Sequence, residues 1–155
     1  MPISAGVRLT GEPPALARGR GGALTTMTWT QDELVAIGEA EELEISPQRA
    51  DGSFLKPVTV WVVRHDDDLY VRSYKGEGGR WFRAARERGE GHVSAGGVSK
   101  DVGFVLEGDS TVNDGIDLAY RMKYRDQDAA YVDPMVAGPA KETTIRLVPR
   151  QAATR

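Results

Sequence analysis

Apolar residues recur along the chain with two different spacings, and the changes from one spacing to the other divide it into short helices and strands. Thr30 and Glu33 have the spacing of a capping box, which predicts a helix over 31–42. A later helix is predicted to stop at Gly89 and Gly91. The complete set of predicted elements is a helix over 31–42, strands over 57–64 and 69–74, a helix over 80–89, a hairpin of 92–95 with 101–107, a helix over 116–123 and a strand over 143–148.

The segments between these elements are predicted to be turns or loops. Pro47 and Asp51-Gly52 are typical of turns, and a loop is expected around Asp133-Pro134. The strand over 57–64 has apolar residues on both faces, which indicates that both faces are covered. Five or six short, mostly antiparallel strands with few helices favour a small closed barrel over a doubly wound sheet.

The chain has 155 residues, which is the length of one domain. Residues 1–26 are rich in glycine, proline and arginine and lack a hydrophobic period, so we expect a disordered N-terminal extension. Met27 is accordingly a candidate for the true start. The folded domain is expected over 27–150, and a disordered tail over 151–155.

The composition narrows the classes of function. Without cysteine, the chain has no disulfide framework, no thiolate nucleophile and no cysteine metal site. The formal net charge of -3 argues against a nucleic-acid-binding protein, because such proteins usually have a strongly basic face. No run approaches the roughly 18 apolar residues of a membrane span. We therefore expect a cytoplasmic protein with a small-molecule partner, and neither a nucleic acid nor a membrane as partner.

The densest set of candidate binding residues lies within 57–85. A basic, glycine-rich segment with Ser73, Lys75 and Gly76 follows the second strand and precedes Trp81. Backbone amides of such a turn can hold an anion together with the cations, and the aromatic side chain can line a planar ligand. An ordinary turn with solvated cations and a core tryptophan is the alternative. The glycines do not form the G-x-G-x-x-G pattern that binds dinucleotides between a strand and a helix.

Arg72 and Tyr131 are the candidates for contact with a substrate. Arg72 lies in the middle of a predicted strand between two tyrosines, where an exposed salt bridge is the other explanation for it. Tyr131 can donate a proton or hold a carbonyl group, although such a tyrosine can also simply pin a loop. The two histidines, His65 and His92, lack metal-binding spacing, so no metal site is predicted.

From Trp29 to Arg150 the sequence resembles a bacterial family, domain of unknown function 2255. The residues that carry the resemblance are Trp29-Thr30 with Glu33-Leu34, Arg49 to Gly52, Pro57 to Val63, Leu69 to Ser73, Trp81-Phe82-Arg83, Ala95-Gly96-Gly97, Ala119 to Tyr124, Tyr131 to Met135 and Thr144 to Pro149. That family is similar, more distantly, to split β-barrel proteins that bind FMN or the deazaflavin coenzyme F-420. The resemblance implies a mainly β (α+β) fold, a small split β-barrel of about six mostly antiparallel strands with two or three flanking helices.

In the cofactor-binding split barrels, a cation before the first strand, a serine and a lysine after the second, and a tryptophan at the start of the next helix hold the cofactor's phosphate tail. The matching positions, which are the implied cofactor-binding residues, are Lys56, Ser73, Lys75, Gly76 and Trp81. The deazaflavin enzymes usually have a proline before that tryptophan and an asparagine soon after it, whereas this chain has Arg80 and Ala84-Ala85. Split barrels of this kind are commonly homodimers, so the resemblance also implies a homodimer.

The leading hypothesis is a protein that binds FMN or coenzyme F-420 and transfers a hydride to a small organic substrate, with Arg72 or Tyr131 steering or protonating that substrate. The cofactor would carry the redox chemistry and the protein would orient it. The alternative is a non-redox biosynthetic enzyme or a small-molecule-binding protein that uses the barrel cavity without a redox cofactor, which the departures around Trp81 favour. A dimeric interaction module is a third hypothesis.

Overall fold

The computed structural model describes residues 28–150, which form five α-helices and seven β-strands. In chain order they are α1 Gln31–Glu39, β1 Leu43–Pro47, β2 Val58–Val60, β3 Val62–His65, β4 Asp68–Val71, α2 Arg80–Arg88, β5 Glu90–Ala95, β6 Val98–Leu106, α3 Ser110–Lys123, α4 Ala129–Val136, α5 Gly138–Lys141 and β7 Ile145–Pro149. The predictions for residues 1–26, for Met27 and for 151–155 lie outside the described residues. No helix within the described range has the length and apolar character needed to cross a membrane.

All seven strands form one antiparallel sheet in the order β2-β1-β5-β6-β7-β4-β3. β2 and β3 follow each other in the chain, separated only by Trp61, yet they lie at the two ends of this order. The sheet therefore curls until its two ends meet and forms a nearly closed barrel. This confirms the predicted fold class, with seven strands instead of about six and five helices instead of two or three.

The interior of the barrel forms the main hydrophobic core. Buried and partly exposed side chains alternate along β5 and β7, as the two-residue period of a strand requires. α1 adds Leu34 and Ile37 to this core, and α2 adds Trp81, Phe82 and Ala85. A second, outer core lies between the barrel wall and helices α3 and α4, and its buried residues are Val63, Tyr70, Ile116, Tyr120, Tyr124, Val132 and Met135.

Local signals set the start of α1 and the end of α2 as predicted, whereas α1 ends at Glu39 and α3 begins at Ser110. The Thr30 hydroxyl accepts a hydrogen bond from the Glu33 amide at 3.1 Å, and the Glu33 carboxylate accepts one from the Thr30 amide at 2.9 Å. These two bonds confirm the capping box at the start of α1. Gly89 ends α2 with a φ of 79°, a left-handed conformation that glycine adopts without strain.

β1 corrects the prediction that the segment around Pro47 is a turn. Leu43 and Ile45 are fully buried, and they alternate with exposed or partly exposed neighbours. Pro47 is the last residue of the strand and lies opposite Gly91 of β5. The end of a strand is a position where the missing amide donor of proline is tolerated.

The single strand predicted over 57–64 is broken at Trp61 into β2 and β3. The predicted cover on both faces holds only for β3, in which Val62 and Val63 are both buried. In β2 the side chains of Val58 and Thr59 are exposed. The reason is topological, because the outer helices cover β3 whereas β2 lies at the open side of the barrel.

The loop predicted around Asp133-Pro134 is wrong, because these residues belong to α4. The Asp128 side chain begins the helix by accepting a hydrogen bond from the Ala130 amide at 2.8 Å. Val132 and Met135 are buried against α3, so packing holds the helix although proline removes one backbone donor from it. Tertiary contacts have here overridden a local signal for a loop.

Candidate functional site

A cleft of about 580 Å³ opens between β2, the loop after β4, the start of α2 and the helix α4. A volume of this size is typical of small-molecule sites. The residues that line it are Glu42, Val58, Thr59, Val60, Trp61, Arg72, Ser73, Tyr74, Lys75, Gly79, Arg80, Trp81, Tyr131 and Met135.

The loop between β4 and α2 is held in shape by bonds within itself. The Ser73 hydroxyl donates to the Gly76 carbonyl at 2.8 Å, and the Gly76 amide donates to the Ser73 carbonyl at 2.9 Å. A methyl group added at Gly79 would lie 2.5 Å from Ser73 Oγ, so the close approach of these two residues requires glycine. Ser73 is buried, and its hydroxyl proton is already donated to the Gly76 carbonyl within the loop.

The N-terminus of α2 opens onto the cleft without a side-chain cap. Gly79 occupies the N-cap position, and the Arg83 amide makes the first helical bond, to the Gly79 carbonyl at 3.1 Å. The amides of Arg80, Trp81 and Phe82 precede that bond. Such amides lie at the positive end of the helix dipole, where an anion is favoured.

Two cations lie beside this helix end. Lys75 and Arg80 both line the cleft and both are exposed. Over residues 28–150, neither side chain forms an ion pair or a hydrogen bond with another residue. Their charges are therefore available to a ligand, and a phosphate group matches both these charges and the free amides.

Aromatic side chains form much of the remaining wall. Trp61 stacks on Tyr124, with ring centroids 3.9 Å apart and planes 7° from parallel. Trp81 is 8% exposed and belongs to the barrel core, although it also lines the cleft. Tyr74 and Tyr131 are 57% and 60% exposed at the mouth. The wall can therefore take a planar ring system.

Arg72 lies at the back of the cleft, and every N–H donor of its guanidinium is hydrogen-bonded to another residue of the protein. Nε donates to Thr144 Oγ1 at 2.8 Å, and Nη1 donates to Asp117 Oδ1 at 2.6 Å and to the Met135 carbonyl at 2.9 Å. Nη2 donates to the carbonyl and the side-chain oxygen of Asn113 at 3.3 and 3.0 Å. A guanidinium has five N–H donors, and these five bonds use all of them. The role predicted for Arg72 toward a substrate stays a prediction, and this geometry favours a structural role.

Asp117 connects the buried arginine to the surface. Lys141 Nζ lies 2.8 Å from Asp117 Oδ2 and 3.2 Å from Asp114 Oδ1. Hydrogen bonds to these two carboxylates raise the pKa of Lys141. On the inner side, the Arg72 guanidinium lies 5.5 Å from the centroid of the Tyr120 ring, and burial raises the pKa of Tyr120 far above its usual value. We call Arg72, Asp117, Asn113, Thr144 and Lys141 the buried arginine network.

The strand side of the cleft carries one carboxylate, that of Glu42, which is the only acidic residue among the described residues of the lining. Its neighbours fix the backbone on both sides. The Tyr124 hydroxyl donates to the Glu41 carbonyl at 2.6 Å, and Leu43 pairs with Val60 in the sheet. Glu42 is thereby held at the edge of the cleft, although its own side chain is exposed.

A third cation lies behind the aromatic wall. Lys123 Nζ donates to the Val62 carbonyl at 2.5 Å and lies 5.2 Å from the centroid of the Tyr124 ring. Burial lowers the pKa of Lys123 to about 8. The side chain forms no ion pair with any carboxylate of the described residues.

The structure brings together most of the predicted site residues. Those that line the cleft are Arg72, Ser73, Lys75, Trp81 and Tyr131. Gly76 shapes the loop without joining the lining, and Lys56 is exposed outside the lining. The roles assigned to these residues stay predictions. In the described part of the chain, no three histidine or acidic side chains are gathered closely enough to hold a metal ion.

Sequence reasoning missed the strand side of the cleft and part of its mouth. The missed residues are Glu42, Val58, Thr59, Val60, Trp61, Tyr74, Gly79, Arg80 and Met135. Arg80 had a recognisable signal, because it is the first residue of a helix that follows a glycine. Glu42 had none, since its place at the cleft depends on β1, which the pattern did not predict.

The chain belongs to the DUF2255 family, described as an uncharacterized protein conserved in bacteria, whose model matches residues 33–147. No curated protein matches the sequence.

Several solved structures are similar to this fold. The conserved hypothetical protein Rv2991 from Mycobacterium tuberculosis is 12% identical, with 87% of each chain covered and a TM-score of 0.60. The heme storage protein HutZ from Vibrio cholerae is 13% identical, with 81% of this chain and 93% of that chain covered and a TM-score of 0.55. A Listeria innocua protein provisionally named a pyridoxamine 5′-phosphate oxidase is 16% identical, with 76% and 90% covered and a TM-score of 0.54. Identities this low show a shared split-barrel fold and leave the chemistry open.

Proposed function

We propose that this member of the DUF2255 family binds a phosphate-bearing flavin or deazaflavin, FMN or coenzyme F-420, and uses it to transfer a hydride to a small organic substrate. One observation carries the proposal. The uncapped N-terminus of α2, with Lys75 and Arg80 beside it, lies at a cleft of about 580 Å³ with aromatic walls. That arrangement matches an anionic group joined to a planar ring.

The residues at the start of α2 fit a phosphate. The amides of Arg80 and Trp81 would donate to it, and Lys75 and Arg80 would supply the charge. Hydrogen bonds to a charged group contribute roughly 1.5–3 kcal/mol each. Three such bonds give roughly 4.5–9 kcal/mol, so after the entropy cost of binding the contacts of the ring with the aromatic walls would supply the rest of a micromolar affinity. Gly79 leaves room for the phosphate, because it places no side chain over the helix end.

The remaining walls fit a ring system and a substrate. Trp61 and Trp81 would line the ring. Tyr131, at the rim, would hold a carbonyl group of the substrate or give it a proton, and Met135 would exclude water. The bound cofactor would supply the hydride chemistry. Two of the similar folds have names that refer to ring compounds with anionic groups, pyridoxamine 5′-phosphate and heme, which supports a ligand of this class.

A second candidate function is a non-redox enzyme or a small-molecule-binding protein without a redox cofactor. Two specific observations favour it. Ser73 was predicted to contact the phosphate, but its hydroxyl proton is donated to the Gly76 carbonyl. Arg72 has no donor left for a ligand. Both candidates use the same cleft, so cofactor binding separates them.

We also propose that the protein is a homodimer. Tyr74 and Tyr131 are large aromatic residues at the mouth of the cleft, and they are 57% and 60% exposed. A second copy over this mouth would remove them from water, which supports a partner there. Light scattering on the full chain should give twice the mass of the 16.9 kDa chain, and a monomer across the accessible concentration range would refute the proposal.

The decisive experiment is a titration of FMN and coenzyme F-420 with purified full-length protein, followed by quenching of cofactor fluorescence. We expect binding of one of them at micromolar concentration. Lys75→Ala and Arg80→Ala should each weaken that binding by about tenfold, because each removes a charge-assisted contact. Reoxidation of the reduced, bound cofactor by a panel of organic acceptors would then test hydride transfer.

Two further variants serve as controls. Arg83→Ala removes an exposed cation of the same helix outside the cleft lining, and it should leave the affinity unchanged. Lys56→Ala tests the position that the resemblance assigns to phosphate binding. If neither cofactor binds below about 100 µM, the cofactor proposal is wrong and the second candidate stands. If binding survives in both Lys75→Ala and Arg80→Ala, the helix end is not the phosphate site.

A further inference from the structure

We propose that the cleft has a second binding position, at Glu42, for a ligand that combines an apolar body with a protonated amine. This inference rests on the proposed function, because it names the class of substrate that would bind beside the cofactor. It arises from three features of the strand side of the cleft.

The first feature is that the charges of the cleft are divided between its walls. Lys75 and Arg80 lie on the wall formed by the loop after β4 and the start of α2. Glu42 lies on the opposite wall, which is formed by β2 and the residue before β1. Arg72 does not disturb this division, since Asp117 lies 2.6 Å from its guanidinium and neutralises it. A ligand that carried only negative charge would be attracted to one wall and repelled by the other.

The second feature is that the Glu42 carboxylate is free while its acidic neighbours are engaged. Glu44 accepts a hydrogen bond from Thr59 at 2.6 Å, and Glu41 accepts one from Gln127 at 3.2 Å. Within residues 28–150, Glu42 forms neither an ion pair nor a hydrogen bond through its side chain. The backbone at Glu42 is fixed on both sides, so binding a ligand there would cost little further ordering of the chain.

The third feature is the apolar surface next to this carboxylate. Val58, Val60 and Trp61 line the same wall, and Val58 is 38% exposed. An apolar group on these residues would be removed from water, and the face of a tryptophan also attracts cations. A carboxylate beside an apolar wall recognises an arylalkylamine better than a neutral or an acidic ring compound of the same size.

The test compares tryptamine with tryptophol, which has the same ring and chain length but a hydroxyl group in place of the ammonium group. Both are titrated at pH 7 into the full-length protein, with and without FMN, and the amide NMR shifts of Val58 and Val60 report binding. We expect tryptamine to bind about two- to fivefold more tightly than tryptophol, the range for one solvent-accessible ion pair.

Glu42→Gln should abolish this preference, and Glu42→Asp should keep part of it. The matched control is Glu44→Gln, which removes the neighbouring carboxylate that already bonds Thr59 and should leave the preference intact. Equal affinity for the two probes in the wild type, or a preference that survives Glu42→Gln, overturns the proposal. The titration without FMN remains readable if FMN does not bind, so failure of the cofactor proposal is distinguished from failure of this one.

Discussion

Arg72 and Lys75 are only three residues apart, yet they lie in two regions where a positive charge has opposite consequences. Arg72 is 1% exposed and donates to four residues of the protein. Lys75 is exposed at the cleft and makes no such contact within the described chain. The sequence made both residues candidates for ligand contact, Arg72 toward the substrate and Lys75 toward the cofactor.

The difference shows that partners decide what a cation can do. α3 supplies Asp117 and Asn113 to Arg72, and the segment before β7 supplies Thr144. Those residues are 41 to 72 positions away in the chain. The network neutralises Arg72 and uses all of its donors, whereas the loop after it places Lys75 at the cleft.

Removal of the buried charge of Arg72 should have the largest effect on stability. Arg72→Met leaves Asp117 without its inner partner and leaves Thr144 Oγ1 without its donor, whereas Asn113 Oδ1 keeps the hydrogen bond from the Thr144 hydroxyl. We expect the free energy of unfolding to fall by about 3 kcal/mol, measured by urea denaturation. Lys75→Met is the control from the other region and should change it by less than about 0.5 kcal/mol. Similar values for the two variants would abolish the contrast between the regions.

A methyl group added at Gly79, between Arg72 and the cleft, should have the next largest effect on stability. Gly79→Ala places a Cβ 2.5 Å from Ser73 Oγ, so the loop has to move. We expect a loss of about 1–3 kcal/mol in stability together with weaker cofactor binding. Gly78→Ala is a matched control, because a Cβ at Gly78 meets no atom within 4 Å. Equal melting temperatures for the two variants would show that the close approach at Gly79 does not matter.

Ser73 lies between the buried arginine network and the cleft, and a substitution there shows which of the two regions it serves. Ser73→Ala removes the bond to the Gly76 carbonyl, and we expect a loss of about 1 kcal/mol in stability. Because the hydroxyl proton serves the loop, the affinity for the cofactor should change by less than about threefold. The opposite pattern, full stability with a tenfold loss of affinity, would assign Ser73 to phosphate binding.

Lys123 is an intermediate case, half-buried and bonded only to a carbonyl, and its effect on stability changes with pH. Burial lowers the pKa of Lys123 to about 8 from its usual 10.5. Below pH 8 both folded and unfolded chains hold the proton, so burial of the charge costs stability. Between pH 8 and 10.5 only the unfolded chain holds it, so stability rises with pH in that window.

Lys123→Met should therefore melt at a higher temperature than the wild type at pH 7, and the difference should shrink as the pH approaches 10. Melting curves followed by circular dichroism across this range measure it. Titration of the tyrosines is common to both proteins and does not contribute to the difference. A constant difference across the range would mean that Lys123 keeps its proton in the folded protein.

The smaller part of the cleft lining was predictable, and the limits have a physical cause. Lys75 and Trp81 were found because a glycine-rich turn before a helix is a local pattern. Glu42 was missed because its position depends on the pairing of Leu43 with Val60, which joins two separate segments. Tyr131 was found, but in a predicted loop that is the helix α4.

By itself, the sequence determined the features that depend on neighbouring residues. These are the capping box at Thr30, the glycine end of α2, the strand periods and, through them, a barrel of short antiparallel strands. Only the tertiary structure decided which charges are available. Burial and hydrogen-bond partners come from residues distant in the chain. For this reason Arg72 is paired with Asp117 inside the protein, whereas Lys75, Arg80 and Glu42 line a common cleft.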